Sequence, residues 1–379
     1  MRVMIVGAGI GGLTLAALLS RRGMKPLVVE RAADFSHEGY MLALYPLGSR
    51  ILHGLGLFER FVARSEAMET YRVYNGHGEL IHEYDLGALA GRIGPIRQLT
   101  RAELLTLLRE GADRADLRMA TTLEAARPEG DAIAVRLSDG TETSVDLLVG
   151  ADGIHSQIRR DFFAEAATHS SGWGAWAWWA DKALVRHDTI AEYWGAGRFV
   201  GAYPTRDRIG LIAGGSEARL GPAAIGEHTA ALRRELAGLG DSVAPLLGTM
   251  PAATADMFYW RLDDCRAPSW RAGRVALLGD SACGFLPTAG IGASMAMESA
   301  AVLADELDRT DAKFLPKALA LYEKRRRKRA EAAQDDSRHL GSMMFVDSLP
   351  LAWGRDQLLK FYSLEMLAKQ IAKSLDEPI

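Results

Sequence analysis

One stretch limits the folds open to this chain more than any other: "VMIVGAGIGGLTLAALLSRRGMKPLVVER", residues 3–31. An apolar run, Val3 to Val6, leads into Gly7-Ala8-Gly9-Ile10-Gly11-Gly12, which satisfies the spacing G-x-G-x-x-G. Leu13, Leu15, Ala16, Leu18 and Leu19 then supply a helix face, Gly23 is a stop signal, and "KPLVVE" reads as a second strand. A strand–turn–helix–strand unit of this kind opens a sheet that binds a dinucleotide. Its glycines have separate tasks: a tight turn, close approach of the backbone to a pyrophosphate, and close packing of helix on strand. The helix amino terminus presents unpaired N–H groups and partial positive charge to the phosphates. Glu30 ends the second strand, where a carboxylate accepts from ribose hydroxyls and disfavours a 2′-phosphate. NADP in this crevice is therefore not expected, and the turn leaves NAD and FAD open. The first twenty residues also resemble a secretory leader, with Arg2 ahead of an apolar stretch, but four glycines breaking the apolar core argue for retention in the mature fold.

At 379 residues the chain is long for one core and has room for two intergrown domains. Apolar residues make up 48% and charged residues 25%, so a folded core is expected, and a net charge of −3 gives no global attraction for nucleic acid or an anionic membrane. Cys265 and Cys283 are the only cysteines, which implies no disulfide framework and fits a reducing cytoplasm. No run approaches the roughly 18 apolar residues that span a bilayer, so no stable membrane association is expected. His37, His53, His77, His82 and His155 make no metal-ligand spacing with cysteines or carboxylates, and no metal site is expected.

Two further stretches have the same strand-then-loop form. In "SVDLLVGADGIHSQIRRDFF", Val145 to Val149 reads as a buried strand ending in Gly150-Ala151-Asp152-Gly153, with Ser156 and Arg159 in a short helix. In "GRVALLGDSACGFLPTAGIGASMAMESAAVLADEL", a strand from Arg274 to Leu278 ends in Gly279-Asp280. A loop with Pro287, Gly290 and Gly292 follows, and a long helix begins near Ala293. Loops at the carboxyl ends of such strands are where ligands sit.

These three ordered stretches resemble the class A flavoprotein monooxygenases, the para-hydroxybenzoate hydroxylase-like family, over residues 1–330. The resemblance rests on Gly7-x-Gly9-x-x-Gly12, on Asp152-Gly153 with Arg159, and on Gly279-Asp280 with Pro287, Gly290, Gly292 and Glu298-Ser299-Ala300. It implies FAD as the dinucleotide and NADPH or NADH as a transient reductant. Gly7, Gly9, Gly11, Gly12 and Glu30 would hold the adenosine diphosphate half, with Arg31 beside the adenine. Asp280 would bond the ribityl chain, and the helix after Gly292 would aim its dipole at the pyrimidine ring. Asp152 and Gly153 would lie near the diphosphate, and Arg101 would contact FAD with Gln98 nearby. One departure is Cys283, where the family often has histidine. It removes a proton-relay candidate, and an inert, partly buried thiol is expected there.

The resemblance implies an α/β fold: a Rossmann-like FAD-binding domain (1–70, 96–165 and 266–330) with an intergrown antiparallel-sheet substrate domain (71–95 and 166–265); beyond it, residues 331–379 read as a C-terminal helical segment. The middle region has the texture of short antiparallel strands, and Asn75-Gly76 is a hairpin signal. Residues 221–248 read as helical. Four tryptophans fall between Trp173 and Trp179, and alternation puts Trp176 and Trp178 on one face. Trp176, Trp178, Tyr193 and Tyr203 are the candidates for a pocket suited to a flat aromatic ligand. The same rings also suit packing of a sheet against helices, and the two readings stay open. "WAWWAD" lacks the Ile-Pro of the halogenase signature W-x-W-x-I-P. No residue is singled out as a catalytic base.

"KRRRKR" (324–329) wraps more than a helical turn and is followed by acids, so a solvated helix is expected rather than a nucleic-acid patch. Leu364, Leu367, Ile371 and Leu375 suggest an amphipathic helix that packs on the body, caps the cavity or forms a dimer contact. The function expected from the resemblance is hydroxylation of an aromatic or polycyclic small molecule with NAD(P)H and O2 through a flavin C4a-hydroperoxide. The alternatives are a same-fold dehydrogenase or reductase, an epoxidase fed by a separate reductase, and a non-catalytic flavin redox sensor using Cys283. The oligomeric state stays open.

Overall fold

Val3–Val6 is buried at every position, the pattern of a strand covered on both faces. In the computed structural model, which describes residues 1–35, 39–163 and 168–361, this strand lies parallel between Leu27–Val29 and Leu147–Gly150. The six-stranded sheet runs Arg271–Ala272, Val275–Leu277, Leu147–Gly150, Val3–Val6, Leu27–Val29, Asp116–Arg118, and only the first of these is antiparallel to its neighbour. Strand order reverses beside Val3–Val6, so the carboxyl ends of Val3–Val6 and Leu147–Gly150 open at a switch point, where ligands bind in such sheets. Helix Ile10–Arg21 packs against both Arg101–Gly111 and Gly292–Asp308 over this sheet. The strand expected over Val145 to Val149 is divided. Glu142–Val145 pairs with Ala132–Leu137 in a separate three-stranded sheet, and Asp146, accepting from the Arg2 amide, marks the crossing into the main one.

The second large sheet has eight strands and one parallel pair, Thr70–Asn75 with Thr189–Trp194. Thr168–Asp181 lies at its middle between Arg208–Ser216 and Phe258–Arg266. Both faces are apolar because both are covered. On one, Trp176, Trp178 and Tyr193 pack with Leu232, Leu236, Leu239 and Leu246 from the short helices between residues 217 and 248. On the other, Phe199, Leu262, Leu286, Met344 and Phe345 form a separate cluster. The sheets and helices make an α/β fold in which the mostly antiparallel sheet is intergrown with the parallel one.

The basic run overturns its expectation of a solvated helix. It lies in the 30-residue helix Leu315–Met344, and half of it faces inward. Arg325 bonds Asp305 and Glu306, while Arg326 and Arg329 reach Glu298 of the Glu-Ser-Ala sequence. Arg50 reaches the same carboxylate from a third helix, Pro46–Gly54. Glu298 is 0% and Arg326 1% exposed. Glycines and alanines bring Gly292–Asp308 close to its neighbours, and one buried acid then fixes three elements at once. The last described helix, Leu349–Leu359, is pinned by Arg355, whose guanidinium donates to the Trp194 carbonyl at 2.8 Å. His37 and the apolar residues Leu364, Leu367, Ile371 and Leu375 lie outside the described residues. Among the described residues no helix is long and apolar enough to cross a membrane.

Candidate functional site

The glycine turn divides by what each position must avoid. Gly7 has φ +104°, and a Cβ there would stand 2.4 Å from the Ala151 carbonyl oxygen. A Cβ on Gly12 would stand 2.0 Å from the Gly7 oxygen. These two glycines are demanded by the protein's own packing. Gly11 has only ordinary contacts, the nearest being Leu278 at 3.5 Å. Gly9 differs from all three: a Cβ there meets nothing within 4 Å. It is the N-cap of Ile10–Arg21, where no side chain caps the helix and no acid occupies the first turn. That terminus thus has no capping side chain for its first N–H groups and open space beside Gly9, the setting that binds a phosphate. Glu30 ends the next strand and accepts from the Ala8 amide at 2.8 Å and the Ala32 amide at 3.0 Å, which holds its carboxylate against the turn. Arg31 is exposed.

The two aspartates of the later motifs are used differently. Asp152 accepts from Ser156 Oγ at 2.5 Å and from the Gln157 and Ile158 amides at 2.6 and 3.1 Å, so its charge shapes its own loop. Gly153 supplies the turn between. Arg159, buried in the short helix that follows, donates to the Ser281 carbonyl at 2.9 Å and to the Ile154 carbonyl. It thereby ties the Asp-Gly loop to the Gly-Asp loop. Asp280 keeps its carboxyl for the crevice. Solvent reaches it there, yet protein crowds it closely enough that desolvation pushes it up to about 6, against the pull of the Arg101 guanidinium. Arg101 opens its helix directly after a capping box between Thr100 and Glu103, which fixes where its side chain starts.

Gln98, on strand Arg97–Thr100, is 1% exposed, and neither its Oε1 nor its Nε2 has a partner among the described residues. Leaving a buried carboxamide unpaired costs about 1–3 kcal/mol, so a ligand's hydrogen bonds are the natural remedy. Pro287–Ala289 is a tight turn, Gly290 follows beneath the Tyr45 ring, and Gly292 begins the 17-residue helix to Asp308 with no side-chain cap. Tyr45 donates to the Ala289 carbonyl at 3.3 Å. Tyr40, which no motif marks, is brought against Arg101 and Asp280, and burial raises its phenol. It stacks on Trp260 with ring centroids 5.7 Å apart.

Beside Pro287 and Thr288 is a cavity walled by Phe199, Tyr203, Trp260, Leu262, Met344 and Phe345. Of the four pocket candidates, only Tyr203 lines it. Trp176 donates to the Leu220 carbonyl at 2.6 Å and Trp178 to Thr249 Oγ1 at 3.0 Å, which anchors both under the helices on the far face with Tyr193. Alternation put Trp176 and Trp178 on one face, and the covering helices decide which face that is. The smaller Ala175, from the opposite register of the same strand, faces the cavity instead. Tyr203 also belongs to a polar cluster absent from the sequence reading. The buried Glu192 carboxylate accepts from Tyr203 and Tyr71, each at 2.7 Å, and from the Trp194 indole at 2.9 Å. Cys283 is buried, and burial pushes its thiol far above the ordinary range; the neighbouring Cys265 is pushed up to about 11. Neither sulfur is poised to react, so a redox sensor loses its handle.

Three observations fit a bound dinucleotide: the open side of Gly9, the buried Gln98 carboxamide, and the Asp280 carboxyl within the field of the Arg101 guanidinium. A family model described as FAD binding domain matches residues 1–337. The chain is 32% identical over 375 residues to a 3-amino-4-hydroxybenzoate 2-monooxygenase of Streptomyces platensis, covering 94% of this chain and 91% of the relative. It is 30% identical over 372 residues to the 2-heptyl-3-hydroxy-4(1H)-quinolone synthase of Pseudomonas aeruginosa, covering 95% and 94%. Its structure resembles that of a variant of Klebsiella pneumoniae HpxO complexed with FAD, with TM-score 0.87 and 25% identity over 99% of this chain and 98% of the other.

Proposed function

This chain belongs to the FAD-binding family of flavoprotein monooxygenases and is an FAD-dependent enzyme, and we propose that it uses NAD(P)H and O2 to hydroxylate an aromatic small molecule seated beside Trp260. In this reading Gly9 and the amino terminus of Ile10–Arg21 hold the diphosphate, with Gly7, Gly11 and Gly12 allowing the approach. Glu30 takes the ribose hydroxyls, and Arg31 flanks the adenine from outside. Asp280, Arg101 and Gln98 bind the middle of the cofactor, while Asp152 and Gly153 shape the loop beside it. Held by these residues, FAD would supply the redox chemistry between the nicotinamide nucleotide and oxygen.

The protein's own share is to bind, orient and keep water out. The observation that carries the reading is the cavity's position: its wall includes Pro287 and Thr288, from the loop that also starts helix Gly292–Asp308 at the crevice. A ligand there is held against the loop that addresses the cofactor, and positioning of that kind is the main thing oxygen transfer from a flavin asks of a protein. Phe199, Leu262, Met344 and Phe345 supply the dry wall. One relative is named for the oxygenation of an aminohydroxybenzoate and the other for the synthesis of a hydroxyquinolone, which supports a flat aromatic substrate. The two buried free thiols suit a cytoplasmic setting. The test is an anaerobic titration of the FAD-loaded protein with NADPH and then NADH, followed by flavin absorbance with and without an aromatic ligand. Bleaching by either nucleotide, accelerated by ligand, is the expected result. No bleaching with any ligand would refute the self-contained monooxygenase.

A further inference from the structure

Glu192 is a buried carboxylate that the binding of FAD does not use. Every residue of its strand, Thr189–Trp194, is buried. Its three bonded partners, Tyr71, Tyr203 and the Trp194 indole, are neutral donors. Resting on the reading of this chain as an aromatic hydroxylase, we propose that the cavity selects a neutral aromatic substrate that donates an N–H or O–H to the Tyr203 oxygen, and that Glu192 sets this polarity by holding the Tyr203 proton.

The argument is a count of protons. A tyrosine hydroxyl has one hydrogen to give, and its oxygen accepts. The Tyr203 hydrogen is given to Glu192 Oε1 at 2.7 Å. Burial and the adjacent carboxylate hold the Tyr203 phenol well above its ordinary range, so it keeps that hydrogen at neutral pH; burial raises Glu192 too, while its three donors favour the ionised form, the form in which Tyr203 gives its hydrogen to the carboxylate. Tyr203 lines the cavity, and with that hydrogen given away its oxygen can only accept from a ligand that reaches it. Thr288, the other hydroxyl on the wall, is committed in the same way: it donates to the Ser337 carbonyl at 2.6 Å. The Ser337 hydroxyl that touches it gives its own hydrogen to the Leu286 carbonyl, also at 2.6 Å. Both hydroxyls on the wall are thus acceptors to a ligand. Among the described residues, the side chains lining the cavity include no charged group, and the Trp260 indole is the one N–H among them. A benzoate-like ligand would bring its carboxylate to a wall with no cation, and burying an unpaired charge is costly. A phenol, an aniline or an N–H heteroarene matches the wall.

The backbone is built to allow this arrangement. Glu192 pairs across the sheet with Gly201, and a Cβ on Gly201 would stand 2.5 Å from the Tyr203 hydroxyl oxygen. The missing side chain lets the phenol fold back across the strand to reach the carboxylate. Glu192 is thus a positioning residue, acting through Tyr203.

The test titrates the FAD-loaded protein with three molecules that share one ring system: 1-naphthol, 1-methoxynaphthalene and 1-naphthoate. Flavin difference spectra report binding. Naphthol is expected to bind about tenfold tighter than methoxynaphthalene, the worth of about one hydrogen bond, with naphthoate weakest. Tyr203→Phe keeps the ring and should erase the naphthol preference. In Glu192→Gln the carboxamide can donate to the Tyr203 oxygen and release its hydrogen to the cavity, so methoxynaphthalene should gain relative to naphthol. Tighter binding of naphthoate, a naphthol preference that survives Tyr203→Phe, or no flavin response to naphthol would each overturn the proposal. Bleaching of the flavin by NADPH, measured on the same samples, reports the hydroxylase reading separately. FAD content of each variant shows that it has folded.

Discussion

Replacing two glycines of the opening turn, one at a time, separates what the fold needs from what the cofactor needs. Gly12→Ala puts a methyl group 2.0 Å from the Gly7 carbonyl oxygen, and the atom in the way is backbone that cannot swing aside. Strand Val3–Val6 and helix Ile10–Arg21 must move apart, and overpacking of this kind costs about 1–3 kcal/mol or more. Gly9→Ala meets no protein atom within 4 Å, and the backbone there has φ −74° and ψ −174°, which alanine adopts freely. The FAD-free Gly9→Ala protein should therefore be as stable as wild type, or more stable by about 0.4–1 kcal/mol because the unfolded chain loses freedom. Its methyl group instead fills the space a phosphate needs to reach the helix amides. Losing one charge-assisted hydrogen bond is worth about 1.5–3 kcal/mol, so FAD affinity should fall by roughly 10- to 150-fold. Urea denaturation of the FAD-free proteins gives the first quantity, and quenching of FAD fluorescence on titration gives the second. The expected pattern is crossed: Gly12→Ala fails in stability, Gly9→Ala in affinity alone. A Gly9→Ala protein that binds FAD like wild type would show that the phosphates do not lie at this terminus. Equal destabilisation of the two variants would refute the steric division.

Three further outcomes follow from the same structure. Glu298→Gln removes the acid paired with the fully buried Arg326 and leaves that guanidinium uncompensated, so urea stability should fall by about 3–5 kcal/mol, and Arg326→Met in the same chain should restore part of it; a loss below about 1 kcal/mol would mean water reaches the pair. Desolvation pushes the folded Asp280 carboxyl up to about 6, above the ~3.9 of an unfolded chain, so the folded state binds the proton more readily and stability should fall as pH rises from about 4 to about 6. Asp280→Asn should abolish that decline in the FAD-free protein, and an unchanged pH profile would show that the carboxyl is not perturbed. Cys283 and Cys265 should resist a thiol reagent at pH 8 in native protein and react on unfolding, and prompt labelling of the native chain would contradict their burial.

The parallel sheet and its crevice could be read from the chain because the signals are local. Gly7 to Glu30 carries its strand, turn, helix and acid within one unbroken segment, and the Gly-Asp loop announces its own strand end. The basic run could not be read in the same way. Charge along a helix says which residues are cationic, whereas burial depends on what the next helix presents. Glu298 lies 28 residues before Arg326, in a motif whose other members are small, and only packing shows that the small residues make room for the acid. Asp152 likewise reads as a ligand group from its motif, yet its neighbours Ser156, Gln157 and Ile158 use its charge locally.

The substrate side posed a harder problem, for a reason that is geometric. Period-two alternation states which residues share a face, and it is symmetric between the two faces. In a sheet with one wet side, polarity would break the symmetry. Here both faces are apolar, so the bulkiest rings, Trp176 and Trp178, were the natural pocket candidates, although a large ring fills a gap between sheet and helix equally well. What distinguishes the faces is the pairing of strands. With Glu192 opposite Gly201, the side chains at 192, 194, 201 and 203 share one face, and that face carries a carboxylate, an indole, a gap and a phenol. A buried acid opposite a glycine, with tyrosine two residues on, is costly for a purely structural face, because each polar group needs a partner held in place. That cost is the reason to look for the substrate on the side of Tyr203.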